Sequence, residues 1–465
     1  MIEKLQKLLA VLLLGAAVWL VCDLWGEDIL HTVDGLRQRL ENTETGESAG
    51  AIETDRGIES DGIPESAGET KLPAGKLPAR YDSREAGRAP TVKNQGTLGT
   101  CWAVAASSAL EAALLPKEGQ VFSADHISLR NAYGKGQAEG GAYPMVVSYL
   151  AAWLGPVAEA DDPYGDGVSP EGLAPVRHVQ EMQLLQEKDL TAVKQLIYRC
   201  GAIQSSLYMD MEDSAHSSVY YNEFASAYCY EGEEAANHDV LIIGWDDTYP
   251  KSKFSMKVKR DGAFICQNSW GEDFGEKGVF YVSYEDALLG ENCMAYTRVE
   301  DAENYKNIYQ TDLCGWVGQI GYGSEECWFA NVYTAEETGR LLAAGFYATD
   351  KNTEYEVYVA EDYAGTLSFL GKKKAAAGSF QNPGYYTVEL QEDIHLEKGR
   401  RFAVAVKLRT PGSEYPVAAE YAADEDSKNI TLEDGEGYLS SNGILWKRTE
   451  DAYGCNVCLK AYTGD

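Results

Sequence analysis

Gln95-Gly96-Thr97-Leu98-Gly99-Thr100-Cys101-Trp102-Ala103-Val104-Ala105-Ala106 changes character at Cys101. Glycine and small polar residues before it spell a loop. After it, Ala and Leu dominate as far as Leu115, and Pro116 stops the run, which predicts a helix opening at Cys101. A helix N-terminus carries partial positive charge and unpaired N–H groups, so a thiol placed there is expected to ionise more easily and to be a better nucleophile. Gln95, six residues earlier, can aim its side-chain amide at the oxygen of a carbonyl under attack and share an oxyanion hole with the Cys101 backbone N–H. A lone cysteine at a helix start is more often a small buried hydrophobe. The assignment therefore needs partners further along the chain.

Two strand signals supply them. Asn237-His238-Asp239-Val240 leads into Leu241-Ile242-Ile243-Gly244-Trp245, and Gly262-Ala263-Phe264-Ile265-Cys266-Gln267 ends in Asn268-Ser269-Trp270-Gly271. Neighbouring strands can present His238 and Asn268 side by side. The imidazole then takes the thiol proton, the Asn268 amide oxygen holds it in one tautomer, and Trp270 roofs that bond against water.

Gln-Gly-x-x-Gly-x-Cys-Trp-Ala, Asn-His-x-Val and Asn-Ser-Trp-Gly together resemble the papain-like cysteine peptidases, over residues 77–303. The resemblance implies an α+β catalytic domain of two lobes, one helical and one β-barrel-like. It also implies Cys101 as nucleophile, His238 as general base and acid, Asn268 as its orienter and Gln95 as oxyanion donor, with no cofactor and no metal. Gly140-Gly141 resembles the glycine pair whose backbone binds an extended substrate. Phe122-Ser123-Ala124-Asp125-His126-Ile127 resembles a family helix start, with Ser123 as N-cap. Departures are visible too. Leu98 stands where the family has the first cysteine of Cys-Gly-x-Cys, so the usual disulfide beside the site cannot form. Asp239 replaces a small or apolar residue; it is expected to point away from the base if the strand alternates, the alternative being that its charge raises the His238 pKa. A polar insertion at 246–261 is expected at the rim of the cleft, and no long helical prodomain precedes Leu77. These features fit a bacterial branch.

The rest of the chain frames this unit. With 40 Lys+Arg against 73 Asp+Glu in 465 residues, the net charge of −33 argues against nucleic acid as a partner. Lys4 and Lys7 precede an apolar run from Leu8 to Val21, continuing through Leu24 and Trp25. Residues 1–25 fit either a cleaved signal peptide or an uncleaved transmembrane signal-anchor, and either places the protein outside the cell or at its surface. Within the acidic segment 26–76, residues 41–70 carry nine acidic residues, one Arg and two copies of Glu-Ser-Ala-Gly, the composition of a disordered linker or pro-segment. From residue 304 to 465, short segments such as Leu341–Ala348, Glu354–Ala360, Gly384–Leu390 and Arg401–Leu408 predict an all-β sandwich. In position it resembles the lectin-like domain that follows papain-like peptidases in some Gram-positive proteins, which implies a cell-surface glycan as its partner or a role in shaping the cleft.

Among the smaller signals, His126 is expected to be structural, and His178 and His216 to face solvent. Asp161–Asp166 lacks full calcium-loop spacing, and Cys455 and Cys458 with Cys314 and Cys327 make a weak zinc pattern. Export permits disulfides among the eight cysteines that remain after Cys22 and Cys101. The competing reading is a catalytically silent papain fold serving in adhesion or glycan binding; intact Cys101, His238, Asn268 and Gln95 weigh against it.

Overall fold

A computed structural model describes residues 76–211 and 216–465. The helical half of the catalytic domain contains α1 (Cys101–Leu114), α2 (Ala124–Leu129) and α3 (Tyr143–Ala151). Helix α1 is buried from Trp102 to Leu114, which explains its many alanines: they are strong helix formers and let neighbours approach closely. It ends as expected, with Leu115 extended ahead of Pro116. Ser123 Oγ accepts the His126 N–H at 3.0 Å and caps α2.

The sheet half is built from β1 (Arg177–Leu185), β2 (Ile203–Leu207), β3 (His238–Asp246), β4 (Ala263–Gln267), β5 (Val279–Ser283) and β6 (Cys293–Asp301), with α4 (Leu190–Cys200) packed on it. Helix α4 is amphipathic: Asp189 caps it, Val193, Leu196, Ile197 and Cys200 form its buried stripe, and Gly201 ends it at φ +87°. The C-terminal domain is all-β, with β7 (Glu326–Thr334), β8 (Gly339–Ala348), β9 (Thr353–Ala360), β10 (Lys373–Phe380), β11 (Gly384–Leu396), β12 (Arg401–Arg409), β13 (Gly437–Ser440) and β14 (Leu459–Gly464). Strands β10, β9, β12, β7 and β13 lie in that order in a six-stranded sheet.

The two domains share a sheet. A thirteen-stranded sheet runs β14-β8-β11-β1-β6-β2-β3-β4-β5 through its centre, and the seam is the antiparallel pairing of β11 with β1, Gly384 opposite Gln183 and Tyr386 opposite Glu181. Sequence patterning places strands but not their partners, so this continuity was invisible in the chain.

Several expectations are corrected. His178 is 3% exposed instead of facing solvent, because β1 is covered on both faces; its Nδ1 pairs with Asn304 at 2.6 Å and its ring stacks on Trp153 at 3.7 Å. The 246–261 insertion is not at the cleft rim: it leaves β3 at the end opposite His238, roughly 26 Å away at ~3.3 Å per residue. The transmembrane expectation is also corrected: among the described residues no helix is long and apolar enough to cross a membrane. The stretch from Leu8 to Trp25 and the acidic segment up to residue 75 lie outside the described residues. Nine cysteines, Cys101 included, are unpaired in the described residues, and no cluster of three or more metal-ligating side chains occurs there.

Candidate active site

Cys101 opens α1 at the floor of a cleft of about 450 Å³. Gln95, Gly140, Gly141, His238 and Trp270 line the same cleft, so five further residues read from the sequence converge there. Asn268 is buried behind the imidazole. The β3–β4 register pairs Leu241 with Gln267, and that brings the next residue, Asn268, alongside the start of β3. His238 Nε2 and Asn268 Oδ1 are 2.8 Å apart. The same oxygen accepts the Ser269 N–H at 2.8 Å, so the amide presents its oxygen to the ring. Nε2 therefore donates, and Nδ1 is the nitrogen that can take a proton. The Trp270 ring centroid lies 5.1 Å from that of His238, the two rings tilted by 38°.

The oxyanion loop is held from three sides. Gln95 N–H donates to Ser269 O at 2.8 Å and Gly271 N–H to Lys93 O at 3.1 Å, a strand-like zipper onto the Asn-Ser-Trp-Gly turn. Lys93 Nζ reaches Glu111 Oε1 at 2.6 Å and Ser107 Oγ at 2.7 Å, anchoring the loop to the interior of α1. Tyr164 OH donates to Gln95 O at 3.0 Å and also meets the Thr100 hydroxyl, one residue before the thiol. Within the Gln95 side chain, Oε1 accepts from Ser269 Oγ at 2.5 Å and Nε2 donates to Leu98 O at 2.7 Å. An amide nitrogen has two hydrogens, so one remains to point at a substrate oxygen. Sequence reasoning missed Ser269 and Tyr164 as supports; the first sits inside a motif already quoted, and the second carries no local signal.

Gly141 packs flat on Trp102, whose indole occupies the space a Cβ would need, and Gly140 has φ +75°. That combination explains two adjacent glycines: a side chain at the second would displace Trp102 from α1, and the first has a left-handed backbone. The opposite wall, from Tyr208 to Met211, was not read from the sequence. Asn237 fixes it, donating from Nδ2 to Met209 O at 2.9 Å and accepting the Met209 N–H at 2.7 Å.

Electrostatics differ from the simple helix-terminus expectation. Burial pushes the Cys101 thiol up to about 12 and the Asp239 charge adds to this, while backbone N–H groups of Asp239, Trp102 and Cys101 pull the other way. Burial also lowers His238, against smaller upward pushes from Asn268 and Asp239. Burial thus disfavours the Cys101 thiolate and the His238 imidazolium alike and works against the N–H groups at the helix terminus.

This fold and cleft define a papain-type peptidase domain joined to a lectin-like β-domain. Residues 77–301 match the papain family cysteine proteases and residues 308–463 the lectin like domain family, so a papain-like cysteine peptidase domain is followed by a lectin-like domain. It is similar to clostridial cysteine protease Cwp84 after propeptide cleavage, at 26% identity and TM-score 0.74, covering 83% of this chain and 99% of that one. Similarity extends to the cysteine protease and lectin-like domains of Cwp84, a surface layer associated protein of Clostridium difficile, at 25% identity and TM-score 0.72 over 86% and 90% of the two chains. Mouse (Mus musculus) cathepsin K is 28% identical over 228 residues, 47% of this chain and 61% of that protein. Bovine (Bos taurus) cathepsin S is 29% identical over 217 residues, 44% and 60%. The match thus spans about 60% of the length of these curated relatives.

Proposed function

We propose that the chain is an exported cysteine peptidase that hydrolyses protein or peptide substrates at Cys101. The observation that carries this reading is the His238–Asn268 hydrogen bond set beside Cys101 in one cleft. In the proposed reaction the Cys101 proton passes to His238 Nδ1 as sulfur bonds to the scissile carbonyl carbon. Negative charge gathers on the carbonyl oxygen, where the second Gln95 Nε2–H and the Cys101 N–H receive it. The C–N bond then breaks, His238 returns the proton to the departing amine, and water with His238 as base releases the acid product and restores the thiol. Gly140, Gly141 and Trp270 are proposed as the substrate-binding surface. Residues 77–303 are proposed as the catalytic unit and 304–465 as the β-domain, with the lectin-like match supporting a cell-surface glycan as that domain's partner. The surface-layer association of Cwp84 supports a location at the bacterial cell surface.

The test is covalent labelling of a fragment from Lys71 to Asp465 with an epoxide cysteine-peptidase inhibitor, read by intact mass and peptide mapping. One adduct on Cys101, lost in His238→Ala, is the expected result; a folded protein that takes no adduct would move the silent adhesion reading to the front. Gln95→Ala is expected to lower kcat about tenfold or more, as loss of an oxyanion donor does, with KM little changed. Unchanged turnover would place the oxyanion hole elsewhere.

A further inference from the structure

Beside the reacting pair lies a carboxylate to which the hydrolytic mechanism gives no role. Asp239 is 7% exposed and leaves β3 on the side opposite His238, as strand alternation requires. Ser206 Oγ donates to its Oδ1 at 2.5 Å and Gln204 Nε2 to its Oδ2 at 2.7 Å. The same Gln204 nitrogen reaches Trp102 O at 3.2 Å, in the first turn of α1, and Tyr296 OH donates to Gln204 Oε1 at 3.3 Å. One network thus joins β2, β3 and β6 to the helix that carries the nucleophile. Neutral donors of this kind hold a carboxylate in place without cancelling its field.

We propose that Asp239 is a positioning residue of this site: a fixed negative charge, tied through Gln204 to the first turn of α1, that acts on Cys101 and His238 together. The proposal rests on the reading of Cys101 and His238 as the reacting pair. The titratable groups that face Asp239 are Cys101 on α1, His238 on its own strand, Tyr296 on β6 and Tyr143 at the start of α3. Both tyrosines are pushed upward by burial and by Asp239, so they stay neutral through the working range and do not offset the charge.

A negative charge disfavours the thiolate and favours the imidazolium, so it raises both groups. The limbs of the kcat/KM profile report the acid and base of the free enzyme. Asp239 therefore moves both limbs of the bell toward higher pH. An acid confined to the framework would instead change stability or kcat and leave both limbs where they were.

The experiment is the pH dependence of kcat/KM for a peptide amide substrate, in wild type, Asp239→Asn and Asp239→Glu. The asparagine keeps an acceptor for Gln204 and removes the charge. Both its limbs are expected to move to lower pH by about one unit, the low end for one nearby charge, and Asp239→Glu, which keeps the charge, is expected to return them toward wild type. The rate of Cys101 alkylation by iodoacetamide against pH gives a second readout and is expected to shift in the same direction. If the asparagine variant does not accumulate folded, Asp239→Ser makes the same prediction with a smaller neutral acceptor. Limbs unmoved in a folded, active variant overturn the proposal and leave the Cys101 reading intact. A wild type without hydrolysis overturns both.

Discussion

Cys101→Ala is expected to abolish peptide hydrolysis, with a loss on the order of a millionfold, the scale seen when an activated nucleophile is removed. No other described side chain in the cleft can replace it: the lining around it offers amides, a histidine, aromatic rings, methionines and Asp210, which sits with the Tyr208–Met211 wall. The substitution should leave the fold intact for a local reason. Position 101 is the first residue of a helix already rich in alanine, its side chain is half-buried, and alanine is the strongest helix former. Circular dichroism and the urea midpoint should therefore match wild type while turnover disappears. Cys101→Ser sharpens the result. It keeps the shape and a hydrogen-bonding atom but replaces a thiol with a far weaker acid, so a neutral imidazole gains little from it. Hydrolysis surviving in folded Cys101→Ala would sink the assignment.

The second large effect concerns stability, far from the thiol. Lys460 on β14 and Asp312 form an ion pair at 2.9 Å, and the two side chains are 1% and 0% exposed. Lys460 Nζ also donates to Gln310 Oε1 at 2.9 Å and Asp312 O at 3.1 Å. Lys460→Met keeps the bulk of the stem and strands a carboxylate in the interior, which costs about 3–5 kcal/mol. Urea unfolding should show a lower midpoint with unchanged slope. The pH dependence has a definite sign. Burial already pushes the Asp312 carboxyl upward and Lys460 pulls it back, so without the lysine it rises further above its unfolded value. A group raised in the folded state favours folding at low pH, and that contribution is lost as pH rises through its folded pKa. The penalty of Lys460→Met should therefore shrink on acidification. Lys460→Met combined with Asp312→Leu removes both charges and is expected to recover much of the loss.

Much of the site was legible because its chemistry is written in short contiguous motifs. A nucleophile at a loop-to-helix switch, a base before a buried strand and an amide after another strand each leave a local trace, so Cys101, Gln95, His238 and Asn268 could be read directly. Ser269 was within reach for the same reason. Tyr164 was not, since it reaches Gln95 from a loop whose own pattern pointed only to a weak cation signal. His178 was misread because its cover comes from distant segments: its ring stacks on Trp153 and its Nδ1 pairs with Asn304, and neither contact leaves a local trace.

By itself, the sequence determined the class of chemistry and the all-β character of the last third, because propensity, turn residues and period act over neighbouring positions. Only the tertiary structure decided that the lectin-like domain continues the catalytic sheet, that burial works against the helix terminus at Cys101, and that Asp239 is tied to α1 through Gln204. Each of those depends on which distant segments pair and how much water they exclude. Desolvation and strand register are properties of the packed chain, not of any window along it.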